Sequence, residues 1–260
     1  MKRKNTYAVI TGASSGIGKE FARRLAAEGY NLILVARRTE RLQELAKEVE
    51  VFGTKTILLS ADLSKISDCK KVIEEAERNK TVILINNAGF GDCGSFAESQ
   101  LQKEFEMIDV NVKAVHYLTK RILKIFQNRN QGYILNVASS AGLIPAGPYM
   151  ATYYATKAYV TSLTRAIARE LKEQGSRVYI GCLCPGPVDT EFNDVANVSF
   201  ALKGITASYC ANYAVDQMKK RKVVIVPTLT MKCTVFFSRI IPQNLYIKLT
   251  GNQQKKKLGK

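Results

Sequence analysis

The sequence predicts an α/β protein: one doubly wound parallel sheet in a single domain, followed by a basic carboxyl-terminal extension. Three observations predict it. Short apolar runs alternate with helical patterns along most of the 260 residues. Those runs are continuously apolar, as in strands covered on both faces, where half-exposed strands would alternate. A glycine-rich turn joins the first strand to the first helix.

The strands are expected at Tyr7–Thr11, Leu32–Ala36, Thr56–Ser60, Val82–Asn86, Tyr133–Ala138, Val178–Leu183 and Val223–Val226. Helical patterns fill Ile17–Glu28, Glu40–Val51, Cys69–Arg78, Leu101–Gln127 and Tyr153–Lys172. Strand, helix, strand with short connections builds a two-sided layer structure, and no Pro- or Ser-rich linker divides it. Residues 1–227 are therefore expected to form the domain and 228–260 the extension. In that extension Phe236-Phe237, Ile240-Ile241 and Leu245-Tyr246 are interleaved with Lys and Arg. Such a pattern suits amphipathic helices that cover a pocket, pair subunits or rest on a membrane surface.

Composition narrows the class. A 46% hydrophobic and 23% charged balance is that of a globular chain and not of a disordered one. No stretch reaches the ~18 consecutive apolar residues of a membrane span. Met1-Lys2-Arg3-Lys4 leads straight into a strand pattern without a small-residue cleavage site, so no secretory signal is expected. Six cysteines form no C-x-x-C pair, and His116 is the sole histidine, so no metal site is expected. Cys182 and Cys184, two apart on a strand, share one face and read as core. Reduced thiols suit a cytoplasmic location. Of the net charge of +17, residues 201–260 supply +11, with twelve Lys or Arg against one acid, Asp216. That end could face anionic lipid, an acidic carrier or solvent; nucleic acid is not expected, because no aromatic-and-basic platform accompanies the charge.

Thr11-Gly12-Ala13-Ser14-Ser15-Gly16-Ile17-Gly18 closes the first strand and opens the first helix. Glycines at this spacing allow a tight turn, close backbone approach to a pyrophosphate and packing of helix on sheet. The helix start then turns its N–H groups and positive dipole end toward the anion. The strand–turn–helix context makes this a Rossmann-type dinucleotide site. Arg37 and Arg38 end the second strand, where an NAD site would carry an acid for the ribose hydroxyl. Paired guanidinium groups suit a 2′-phosphate, so NADP(H) is the expected cofactor.

With these motifs the chain resembles the short-chain dehydrogenase/reductase family in its compact single-domain branch, from Thr6 to about Thr190. The resemblance implies that Asp62-Leu63 faces the adenine and that Asn87-Ala88-Gly89, after Asn86, supports the adenosine. It implies that Pro185, Val188 and Thr190 hold the nicotinamide carboxamide. It places the catalytic set at Asn111, Ser139, Tyr153 and Lys157. Tyr153 and Lys157 stand four apart, one above the other on a helix face. Counting from Asn136 or Gly142 selects Ser139, whereas counting back from Tyr153 selects Ser140; an extra residue in the loop Leu143–Thr152 favours Ser139.

The resemblance also implies the chemistry. Tyr153 would exchange a proton with the substrate oxygen, Lys157 would lower the phenol's pKa and bind the nicotinamide ribose, and Ser139 would bond the oxygen. Asn111 would hold a water linking Lys157 to solvent. Ala146–Thr152 with Phe192, Val195, Val198 and Phe200 would wall an apolar pocket. The expected substrate is a small lipophilic ketone or alcohol, hydroxysteroid-like, with a 3-oxoacyl thioester as the alternative. A non-catalytic NADP-binding scaffold is the remote one. By resemblance the helices bearing Asn111 and Tyr153 pair subunits, so a homo-oligomer, dimer or tetramer, is expected.

Overall fold

None of the strand segments in the main sheet carries a charged residue, so all can be covered on both faces. The computed structural model describes residues 5–192 and 204–257. The first six strands are β1 (Tyr7–Thr11), β2 (Asn31–Ala36), β3 (Thr56–Ser60), β4 (Thr81–Asn86), β5 (Tyr133–Val137) and β6 (Tyr179–Leu183). A two-residue ribbon pairs β7 (Val188–Asp189) with β8 (Ile205–Thr206), and β9 (Val224–Ile225) closes the sheet edge. The main sheet runs β3-β2-β1-β4-β5-β6-β9, parallel throughout. Strand order reverses between β1 and β4, which opens a crevice at the carboxyl edge of the sheet.

Helices α1 (Gly16–Ala27) and α2 (Thr39–Glu50) cover one face, and α3 (Ile66–Arg78) lies on the other. A long helical stretch beside α3 comprises α4 (Leu101–Ile108), a π-helical turn at Asp109–Ala114 and α5 (Val115–Asn128). One regular helix is the sequence expectation. The wider turn instead falls on Asn111, a place where π-bulges often mark functional sites. The same face is completed by α6 (Ala151–Glu173). Burial explains each register: α1 hides Phe21 and Leu25, α2 hides Leu42 and Leu45, and α5 hides Ile122 and Phe126. Each such side chain contributes about 1.5–3 kcal/mol by leaving water.

One helix is absent from the sequence reading. Helix α7 (Ala207–Lys219) packs on α1 through Cys210, Ala211, Ala214, Val215 and Met218. Its buried face is mostly small, which gives a weak apolar period. Arg24 of α1 ties it down, bonding Asn212 at 3.0 Å and Asp216 at 2.7 Å.

Asn86 on β4 donates to Asn136 on β5 at 2.9 Å and to Thr119 on α5 at 3.0 Å. Asn136 donates to Thr164 on α6 at 2.9 Å. This buried polar chain fixes α5 and α6 against the strand ends that border the crevice. A bond of this kind adds about 1 kcal/mol, but leaving a partner unpaired costs about 1–3, so it specifies position more than it adds stability.

After β9 the chain forms α8 (Leu229–Phe237) and α9 (Gln243–Lys257). Helix α9 continues to Lys257. Among the described residues no helix is long and apolar enough to cross a membrane. Val195, Val198 and Phe200 lie outside the described residues.

Candidate active site

A cavity of about 490 Å³ occupies the crevice. Its floor at one end is the glycine turn. Gly12 has φ +65°, a conformation that side chains rarely adopt. Gly18 lies beneath the turn, where a Cβ would stand 2.2 Å from the Gly12 carbonyl oxygen and 2.5 Å from Asn87 Nδ2. It does not line the cavity, so its part is to let α1 pack, not to touch a ligand. Asn87 clamps the turn, its Nδ2 donating to the carbonyls of Thr11 and Gly12 at 3.0 and 3.2 Å. The Thr11 hydroxyl accepts from the backbone N–H groups of Asn87 and Ala88. Sequence reasoning gave Thr11 no such role, although its place before the first glycine is the signal.

Gly12, Ser14, Ser15, Gly16 and Ile17 line this end of the cavity, as do Arg37, Arg38, Asp62, Leu63, Asn87, Ala88 and Gly89. Arg38 reaches across the turn, donating to Ser15 at 2.9 Å and Ser14 at 3.2 Å. It also donates to Glu191 at 3.0 Å, and Arg41 bonds the same carboxylate. Those two guanidinium groups hold the Glu191 carboxyl below the usual range, Arg41 first. Glu191 lies outside every sequence motif, and only the tertiary fold brings it opposite β2. Asp62 is held locally, its carboxylate accepting from Ser64 N and Oγ.

Pro185, Val188 and Thr190 bring the far wall across. The Pro185 carbonyl accepts from Ser140 N at 2.8 Å. Thr190 stands against Gly16, where a Cβ would meet its Cγ2 at 3.1 Å.

Tyr153, Lys157 and Ser139 meet in the middle of the cavity. One turn of α6 puts Lys157 Nζ 5.8 Å from the Tyr153 ring centre, and Nζ donates to the Val137 carbonyl at 3.0 Å. The Ser139 side chain stands near the Tyr153 phenol and works against the rise that burial imposes on it. Its Oγ also accepts from Ala141 N at 3.1 Å, which fixes the hydroxyl at the end of β5. Ser140 lines the cavity too, but its backbone N–H is bound to Pro185.

Asn111 is fully buried and does not line the cavity. Its Nδ2 donates to the Phe90 carbonyl at 2.8 Å and to Thr156 at 3.1 Å, and its Oδ1 accepts from Phe90 N at 3.1 Å. The amide positions the loop after β4.

Burial governs the electrostatics of the pair. Burial raises the Tyr153 phenol to about 12, opposed chiefly by the Ser139 side chain and not by Lys157. The same burial lowers Lys157 to about 8. Burial shifts each group toward its neutral form, but a lysine near 8 is still mostly cationic at neutral pH. A phenol that keeps its proton at neutral pH is suited to donating it.

The pocket wall adds residues without motif signals. Phe192 packs on Tyr153 with ring centres 5.5 Å apart. Met231 and Thr234 of α8, and Tyr246, Thr250, Gln253 and Gln254 of α9, line the side away from the glycine turn. Cys182 and Cys184 are buried with their sulfurs 3.8 Å apart, packed beside Val160 and Val226 as core. His116 bonds Tyr159 at 2.7 Å on the surface.

A family model described as short chain dehydrogenase matches residues 6–199. The chain belongs to the short-chain dehydrogenase family. A very-long-chain 3-oxoacyl-CoA reductase of Neurospora crassa is 36% identical over 184 residues, 68% of this chain and 55% of the relative. The chain therefore spans about half the length of the curated relatives it matches first. Among solved structures, a short-chain dehydrogenase from Sphingobium yanoikuyae in complex with NADPH superposes with TM-score 0.83 at 30% identity. That match covers 93% of this chain and 95% of the other. A bulky-bulky ketone specific alcohol dehydrogenase from Comamonas testosteroni gives TM-score 0.76 at 28% identity, covering 90% and 92%. In this family the glycine turn and the Tyr153–Lys157 pair acquire a common context.

Proposed function

We propose that this chain reduces a ketone to a secondary alcohol on a lipophilic substrate, with NADPH as its cofactor. The observation that carries the reading is one cavity lined at once by Tyr153, Lys157, Ser139 and the glycine turn. The residues fit the cofactor: Gly12 and Gly16 line the cavity with backbone in a conformation that side chains rarely adopt, and Arg37 and Arg38 offer exposed guanidinium groups at one end for a 2′-phosphate. The NADPH-bound relative from Sphingobium supports the same choice.

When bound, the dihydronicotinamide supplies the hydride. The chain's own residues do the rest. Ser139 donates a hydrogen bond to the carbonyl oxygen as negative charge grows there. Tyr153, protonated below about pH 12, gives that oxygen its proton. The phenolate left behind lies beside Lys157, whose positive form stabilises it through the short separation and low polarity of the cleft. Asn111 acts at one remove by holding Phe90.

A hydroxysteroid-like ketone and a 3-oxoacyl thioester both meet this chemistry. The pocket's apolar wall and the bulky-ketone relative favour the first, and the Neurospora relative favours the second. Exposed Phe236, Phe237, Ile240 and Leu249 are interspersed with exposed Lys232, Arg239 and Lys248 along α8, α9 and the turn between them. An anionic lipid surface would satisfy both kinds of residue, and like charge opposes self-pairing there. A homodimer would use the outer faces of α4 and α6, where Leu101, Phe105 and Tyr159 are exposed. Five of the six cysteines are buried, and reduced thiols suit a cytoplasmic location.

The test is NADPH consumption with a panel of steroid ketones, 3-oxoacyl thioesters and simple ketones, repeated with Tyr153→Phe. The variant should lose about 10²–10⁴-fold in turnover while binding NADPH as the parent does. Equal turnover in parent and variant would refute the assignment and leave an NADP-binding scaffold.

A further inference from the structure

The wall opposite the glycine turn contains a polar atom with nothing to bond. Gln254 of α9 is 2% exposed and lines the cavity. Its Nε2 donates to the Tyr154 hydroxyl oxygen at 2.8 Å, while its Oε1 is buried without a hydrogen-bond partner. Tyr154 lines the same cavity. Because its oxygen accepts from Gln254, its own O–H hydrogen remains to be placed. Turning the amide over changes nothing essential, since Tyr154 would then donate to Oε1 and leave Nε2 with hydrogens to place. Either way the pair keeps at least one donor and one acceptor unspent.

The pair is held, not draped. A Cβ at Gly147 would stand 2.3 Å from the Tyr154 ring, and one at Gly251 would stand 3.2 Å from Pro148. Two glycines thus let the 147–148 loop, Tyr154 and α9 close on one another. Lys255 adds its ammonium over the Tyr149 ring at 5.7 Å. Burying an amide oxygen and leaving it unpaired is unfavourable, so a site this rigid implies a partner delivered from the cavity. The Tyr154 and Tyr153 rings lie edge to face with centres 6.3 Å apart, so that partner sits close to the reacting carbonyl.

We propose that Gln254, braced by Tyr154, is a specificity residue that binds a second polar group of the substrate, one that both donates and accepts, such as a hydroxyl or a secondary amide. The inference rests on the ketone-reductase reading and deepens it. A hydroxyketone would supply the group as an alcohol; an acyl thioester would supply it as the amide of its carrier arm.

Matched pairs test it. One pair is a hydroxyketone and its deoxy analogue; the other is a 3-oxoacyl thioester of N-acetylcysteamine and the corresponding alkyl thioester without an amide. The parent should prefer the hydrogen-bonding member of at least one pair by about 10–100-fold in kcat/KM, because a site built to bond a polar group rejects an analogue lacking it. Which pair shows the preference identifies the source of the group. In Gln254→Leu that ratio should collapse toward one. Tyr154→Phe should reduce it as well, and supplies the same readout should the leucine variant not fold. A ratio unchanged by either variant, or a parent that discriminates within neither pair, would overturn the inference, even if Tyr153→Phe abolishes turnover as the ketone-reductase reading requires. If Tyr153→Phe retains full turnover, the underlying reading fails instead.

Discussion

The two ends of the cleft are built differently. At the glycine-turn end the walls are backbone and surface charge: Gly12, Gly16, the Asn87 clamp and the Arg38–Glu191–Arg41 cluster. At the α9 end they are side chains from helices far along the chain: Met231, Thr234, Tyr246, Thr250 and Gln254. The first end is suited to a ligand whose phosphates never vary, because main-chain geometry recognises an anion without reading its identity. The second can change its ligand by changing a few side chains while the sheet stays as it is. Invariant and variable recognition are therefore separated by the Tyr153–Lys157 pair, which borders both.

The sharpest way to break this division is at Lys157, where the ends meet. Lys157→Met should reduce turnover with every ketone by about 10²-fold or more, since no cation then stabilises the phenolate. It should also raise thermal stability at pH 7 by roughly 1–3 kcal/mol, the relief of a buried amine lowered from 10.5 to about 8. The sign follows from linkage: between about pH 8 and 10.5 the unfolded lysine keeps a proton that the folded one has lost. Parent stability therefore rises with pH across that window, and the advantage of the methionine variant should shrink there. Thermal melts of both proteins from pH 6 to 10 check it; a gap constant with pH would contradict the burial argument.

A smaller effect is expected at the arginine end. Arg38→Ala should weaken NADPH binding by about 10–100-fold, the loss of a charge-assisted bond, and leave NADH binding nearly unchanged. Fluorescence titration with both cofactors decides it, and equal losses would mean that Arg38 only stiffens the turn through Ser14 and Ser15.

Tyr246→Ala addresses the other end. Its KM for bulky ketones should change by about three- to tenfold through lost apolar contact, with NADPH affinity held. A matching change in cofactor affinity would show that the two ends are coupled. The smallest shift belongs to Glu191→Gln, which releases Arg38 from an exposed ion pair. NADPH should bind about two- to fivefold tighter, within the range of such pairs. Isothermal calorimetry reads it directly, and weaker binding would make Glu191 a supporting wall instead of a competitor.

The glycine-turn end was legible because its signals are local. Gly12 to Gly18 lie within one turn, and Tyr153 and Lys157 within one helical repeat, so spacing in the chain is spacing in the molecule. Ser139 was harder, since the count from Tyr153 points to Ser140 and both serines line the cavity; the Ser139 Oγ is held at the end of β5 by Ala141 N. Asn111 was legible as a position but not as a partner of Phe90, because a π-helical turn is set by packing and has no periodic mark. Helix α7 hid behind small residues, and Glu191 and Gln254 behind sequence distance. The rise that burial imposes on the phenol is hidden for a related reason: the charge of Lys157 is written in the chain, but the dryness of the cleft is not.

Sequence alone determined the strand segments of a parallel sheet, the glycine turn and the Tyr–Lys pair, because each depends on residues that are neighbours along a strand, a turn or a helix face. Tertiary structure alone decided which acid faces Arg38, how burial divides protons between Tyr153 and Lys157, and which side chains close the pocket. Those outcomes depend on desolvation and on contacts across more than a hundred residues, such as Arg38 with Glu191. No local pattern encodes either.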